Sequence, residues 1–138
     1  MKNNYLYILL TVTLIYSCSS GPDRPVNNPL FDDGYFVTNE GNFGSGNGSV
    51  SFISNNGSVQ NDVFYNTNMF YLGDVVQSMT VANNKGYIVV NNSGKVEVVD
   101  MDSMNHIKTI ENVGSPRYFT QVTHCLLYTS PSPRDKHR

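Results

Sequence analysis

Gly86-Tyr87-Ile88-Val89-Val90-Asn91, followed across Asn92-Ser93 by Gly94-Lys95-Val96-Glu97-Val98-Val99, is the stretch that decides the fold. Each run is short, rich in Val and Ile and bounded by turn formers, as expected for antiparallel strands joined by a hairpin. An earlier pair echoes it. Gly34-Tyr35-Phe36-Val37-Thr38-Asn39 aligns with the first run, and Gly48-Ser49-Val50-Ser51-Phe52-Ile53 with the second. The first copy carries a longer connecting loop, Glu40 to Asn47, in place of Asn92-Ser93. A period of about fifty residues with about four strands per unit is the mark of β-propeller blades. One such sheet cannot cover both of its faces, so blades stack and bury one another.

The remaining apolar runs fit this scheme. Val59 to Tyr65, Ser78 to Ala82, His106 to Glu111 and Arg117 to Val122 read as strands, separated by clusters such as Asn55-Asn56-Gly57 and Asn83-Asn84-Lys85-Gly86. No sustained helical period occurs downstream of the amino-terminal apolar run, and Val75 to Met79 has room for a single helical turn at most. The expected class is all-β, with antiparallel blades. The second unit has four strands, and Arg117 to Val122 opens a third. The first unit has three, and its innermost strand is expected from the carboxyl end of a longer protein. Under two complete blades are therefore expected in residues 34–124.

The flanks read differently. Met1-Lys2 and the apolar stretch Tyr5 to Ile15 form a signal peptide over residues 1–17, too short to span a bilayer. Ile15-Tyr16-Ser17-Cys18 is similar to a bacterial lipobox, which makes Cys18 the lipidated residue and the membrane a partner through that anchor. Residues 18–33 form a polar Pro/Gly/Asn tether. Cys125 to Asp135 resembles a translated sequencing adapter, so residues 125–138 are set aside as an artefact and the chain is read as a gene fragment. From Ser19 to His124 there are ten acidic residues against five basic ones and no cysteine. That balance argues against nucleic-acid binding, and the lack of cysteine rules out a disulfide framework or thiolate zinc site.

Chemistry-bearing motifs are sparse. The glycine-rich loop Glu40 to Gly48 lacks the Lys-Ser/Thr and helix start of a phosphate loop. On a propeller face, Asn39, Glu40, Asn42 and Phe43 nonetheless offer polar and aromatic contacts to a ligand. Arg117, approaching an innermost strand, is placed at the funnel where such folds bind ligands, or in an ion pair between blades. Asp100-Met101-Asp102-Ser103 lacks the spacing of a calcium loop and reads as a turn. His106 is expected on a solvated outer strand. No catalytic constellation, metal site or cofactor can be named.

The stretches GYFVTNEGNFGSGNGSVSFI (Gly34 to Ile53) and GYIVVNNSGKVEVVD (Gly86 to Asp100), with SPRYF (Ser115 to Phe119), resemble the YncE-like, surface-layer-type β-propeller lipoproteins of Bacteroidetes. The resemblance implies an outer-envelope protein with a seven-bladed type of propeller, on either the surface or the periplasmic face of the outer membrane. It also implies a non-enzymatic module that binds a small molecule or a partner. A narrower alternative is a cobalamin or corrinoid capture protein working with an outer-membrane transporter. Another is a hydrolase or lyase whose active site lies in blades outside this sequence. Asp102-Ser103-Met104 is similar to a short O-glycosylation acceptor of that group, which makes Ser103 a candidate modification site.

Overall fold

The computed structural model describes residues 30–123 and 126–131; the signal peptide, Cys18 and most of the tether and tail lie outside the described residues. Strands β1 (Gly34–Asn39), β2 (Ser49–Ser54) and β3 (Val59–Gln60) form a sheet in chain order. A short helix, α1 (Val63–Asn68), follows. Strands β4 (Val76–Ala82), β5 (Lys85–Val90), β6 (Lys95–Asp100) and β7 (His106–Ile110) make a four-stranded meander. Strands β8 (Pro116–Thr123) and β9 (Leu126–Pro131) make a third sheet. Every strand pairing is antiparallel. Among the described residues the class is therefore all-β, with one short helix. Strand β9 falls within the tail read as adapter-derived. A ladder recruits only backbone groups, and the open edge of β8 is a template for any extended segment.

The middle sheet carries the core on both faces. Alternation sends Ile88, Val90 and Val99 to one side, where they join Val50, Phe52, Phe64, Leu72 and Val76. Tyr87, Val89, Val96 and Val98 point to the other side and pack with Phe119 of β8. Burying each such side chain is worth about 1.5–3 kcal/mol. The Tyr87 and Phe119 rings stack 4.1 Å apart at 13°. The inter-sheet contacts repeat: β1 packs against β4, and its counterpart β5 packs against β8. Short polar side chains tie the inner strands together. The Ser78 hydroxyl donates to the Arg117 carbonyl, and the Thr80 hydroxyl to the Phe119 carbonyl, each at 2.8 Å.

The structure shifts the repeat by one residue in its first strand. Phe36 is paired with Phe52, and Tyr87 with Val98, and each pair faces the following sheet. Phe36 thus occupies the place of Tyr87, whereas matching Gly34 to Gly86 puts Tyr35 there. Tyr35 is 67% exposed on the opposite face. A slip of one residue exchanges the faces of a strand, so burial overrules the glycine match.

The strand expected over Val59 to Tyr65 is also corrected. It ends at Gln60, and the chain turns through Asp62 (φ 54) into α1, which closes at Met69 (φ 61). Val and Phe are indifferent helix formers, but the helix buries Val63 and Phe64 against β2, and tertiary burial outweighs propensity. Val75 to Met79 forms no helical turn; Val76 onward is β4.

Asn68 at the end of α1 locks the first unit to the second. Its amide nitrogen donates to the Phe64 and Met104 carbonyls at 2.9 Å, and its oxygen accepts from the His106 N–H at 2.7 Å. Replacing Asn68 with Ala leaves these partly buried backbone groups unpaired, at a cost of about 1–3 kcal/mol. Urea unfolding of Asn68→Ala is expected to show an unfolding free energy lowered by that amount, read as a lower midpoint with unchanged slope.

Candidate functional site

Antiparallel alternation brings the ends of β1, β5 and β7 and the starts of β2, β4, β6 and β8 to one end of the sheets. The connections 40–48, 69–75, 91–94 and 111–115 therefore share that end. Asp74 organises them. Both of its carboxylate oxygens accept the Gly44 N–H, at 3.1 and 2.9 Å, and Oδ2 also accepts the Asn92 amide. Its own N–H donates to the Ser93 hydroxyl at 2.9 Å. A single carboxylate thus holds the long loop of the first unit to the hairpin turn of the second.

The backbone beside Asp74 is strained. Val75 sits at φ 61, a region β-branched residues avoid, at a cost on the order of 1–3 kcal/mol. The Val75 carbonyl accepts the Asn91 N–H at 2.8 Å, and the Asn91 amide donates to Pro116 O at 2.8 Å. Gly73 (φ 125) is pressed against Ser93, where a Cβ would lie 2.5 Å from its hydroxyl oxygen. Strain of this kind collects at binding sites because the surrounding contacts over-determine it.

The sequence-derived residues fall at this end in different roles. Asn39 donates to the Ser49 and Ser51 hydroxyls at 3.2 and 3.1 Å, so its amide braces the start of the loop. Glu40 accepts from the Gln77 amide at 3.1 Å. The Asn42 N–H is taken by Asn47 Oδ1 at 2.8 Å. Phe43 is 81% exposed at the loop's crest. Arg117 is the second residue of β8; its carbonyl takes the Ser78 hydroxyl, and its buried Nε has no hydrogen-bond partner among the described residues. Glu40 and Arg117 thus flank the start of β4, one on Gln77 and one on Ser78. Beside them the segments Asn91 to Lys95 and Glu111 to Ser115 border an open groove of about 530 Å³. Asp74 and Lys95 escape sequence reasoning. The sequence does place Asp74 next to a glycine, but nothing there shows that its partners lie in two other loops.

A second polar cluster lies within the fold. Glu97, 0% exposed in mid-strand, contacts Lys95 Nζ through Oε1 at 2.7 Å. Oε2 meets His106 Nε2 at 2.9 Å and accepts the Thr109 hydroxyl at 2.7 Å. His106 is therefore half-buried and paired, with Phe64 and Phe70 edge-on to its ring, and not the solvated residue expected. Cross-strand register produces this: Glu97 lies opposite Thr109, and Val99 opposite His106. In the β6–β7 turn, Asp100 Oδ1 accepts the Asp102 and Ser103 N–H groups at 3.1 Å and the Ser103 hydroxyl at 2.8 Å, the behaviour of a turn former. Ser103 is half-buried, and its hydroxyl oxygen also accepts from the Asn105 amide at 2.9 Å. Among the described residues no three His, Cys, Asp or Glu side chains gather as metal ligands. No described helix is long and apolar enough to cross a membrane.

The family described as Domain of unknown function (DUF5074) matches residues 33–130, more than two thirds of the chain, and the chain belongs to that family. No curated protein matches it.

The role of Asp74 is open to a direct check. Removing its carboxylate in Asp74→Ala discards charge-assisted hydrogen bonds worth about 1.5–3 kcal/mol. Chymotrypsin cleavage after Phe43 is expected to quicken about tenfold or more, because cleavage tracks the population of the opened loop.

Proposed function

We propose that this member of the family is a non-enzymatic binding module of the cell envelope, lipid-anchored through Cys18, in which the three sheets are successive blades of a β-propeller. The repeated packing of β1 on β4 and of β5 on β8 supports the blade reading. The binding role rests on one observation: a strained, carboxylate-tied set of loops at one end of the sheets that lifts Phe43 into solvent beside a polar groove. A large exposed aromatic on a braced loop is ready for contact, since little ordering remains to be done on binding. The ligand or partner meets Phe43 on the loop, with Glu40 and Arg117 beside the start of β4 at the same end.

A photo-crosslinking amino acid placed at position 43 of the full-length protein in intact cells tests this. Position 58, exposed at the opposite end of the first sheet, serves as the control. Discrete adducts at 43 and none at 58 are the expected result; equal labelling at both, or none at either, contradicts the reading.

A further inference from the structure

Beyond the loop groove, a second concavity of about 390 Å³ opens between the start of β2 and α1, bordered by Asn47, Ser49, Asp62, Asn66, Tyr65 and Tyr71. Its wall holds two tyrosines in contact with each other. The Tyr65 and Tyr71 rings are stacked 4.4 Å apart at 23°, and Tyr71 remains 63% exposed. Such a pair presents one flat, rigid aromatic surface. A second stack-independent brace lies behind it, where Phe64 and Phe70 meet edge to face at 5.0 Å.

The polar groups around the platform have capacity to spare. Asp62 caps α1 only through its backbone, and its carboxylate makes no hydrogen bond among the described residues. Asn66 spends its amide N–H on the Asn61 carbonyl at 2.9 Å, which leaves its oxygen as an acceptor. Asn47 uses its oxygen on the Asn42 N–H, which leaves its NH₂ as a donor. The Ser49 hydroxyl accepts from Asn39 and keeps its own proton to donate.

We infer that this concavity binds a neutral pyranose ring, stacked on Tyr71 and held through its hydroxyls by Asp62, Asn66, Asn47 and Ser49. A sugar hydroxyl both donates and accepts, and the site supplies both kinds of partner. The apolar C–H face of the ring suits the open aromatic surface. A quaternary ammonium fits less well. It needs rings facing it from several sides and no donors, whereas these rings are nearly parallel and pressed together. The volume lies at the small end of ligand pockets, about 300–1,000 Å³, and suits one sugar residue or a chain end.

The test is saturation-transfer NMR and titration of the full-length protein with methyl glucopyranoside, methyl galactopyranoside and methyl mannopyranoside. At least one is expected to bind, with transfer strongest at the C–H protons of one ring face. Tyr71→Ala is expected to weaken that binding about tenfold, and Asp62→Asn about fivefold. Tyr71→Phe, which keeps the platform, is expected to stay within about twofold. Both side chains are exposed, so none of these changes threatens the fold. Binding by none of the three glycosides overturns the inference. So does binding indifferent to Tyr71→Ala, or displacement of the sugar by tetramethylammonium. The site shares Asn47 with the Phe43 loop but is not lined by Phe43 itself, so its failure leaves any adducts at position 43 untouched.

Discussion

A four-stranded sheet that is apolar on both faces cannot stand alone in water, and the rest of this molecule follows from that constraint. The β4–β7 meander sends valines, Ile88 and Tyr87 to opposite sides, and each side needs a cover. The first unit supplies one with Val50, Phe52, Phe64 and Leu72; Phe119 of β8 supplies the other. The covers are seated by polar pegs and not only by apolar area. Ser78 and Thr80 bond to the backbone of β8, and Asn68 bonds to the β6–β7 turn. Stability in this arrangement is a sum over neighbours, so each sheet depends on the ones beside it.

The same arrangement explains where recognition can occur. Stacking covers both faces of the middle sheet and leaves the loop ends free. At one end the loops are tied by Asp74 and strained at Val75, which presents side chains without relying on the core. Α1 and the segment after it form a separate wall, with the tyrosine pair on its outer side. The buried Glu97 carboxylate is paired with Lys95, His106 and Thr109.

Much of the fold is legible in the residues because strand alternation and turn chemistry are local. The runs read over Gly48 to Ile53 and Gly94 to Val99 fall on β2 and β6, one residue off at each end. What escapes is whatever a distant partner decides. Gly34 and Gly86 make an attractive anchor for the repeat, yet the face that Phe36 turns to Phe52 sets the true register. Val59 to Tyr65 has strand composition throughout, and only the place waiting for Val63 and Phe64 turns half of it into helix. The site divides in the same way. Phe43 and Glu40 stand out as a polar, aromatic glycine-rich loop, whereas Asp74 acquires its role only when three loops meet. His106 looked solvated because its partner Glu97 lies on the neighbouring strand.

The middle sheet is covered on both faces, and its second cover is the less extensive one. A double-mutant cycle on Tyr87 and Phe119 in the full-length protein, read by urea unfolding, addresses that contact directly. The stacked rings predict a coupling of about 0.5–1.5 kcal/mol between Tyr87→Ala and Phe119→Ala. Strictly additive losses would mean that the two rings do not meet and that β8 does not cover this face.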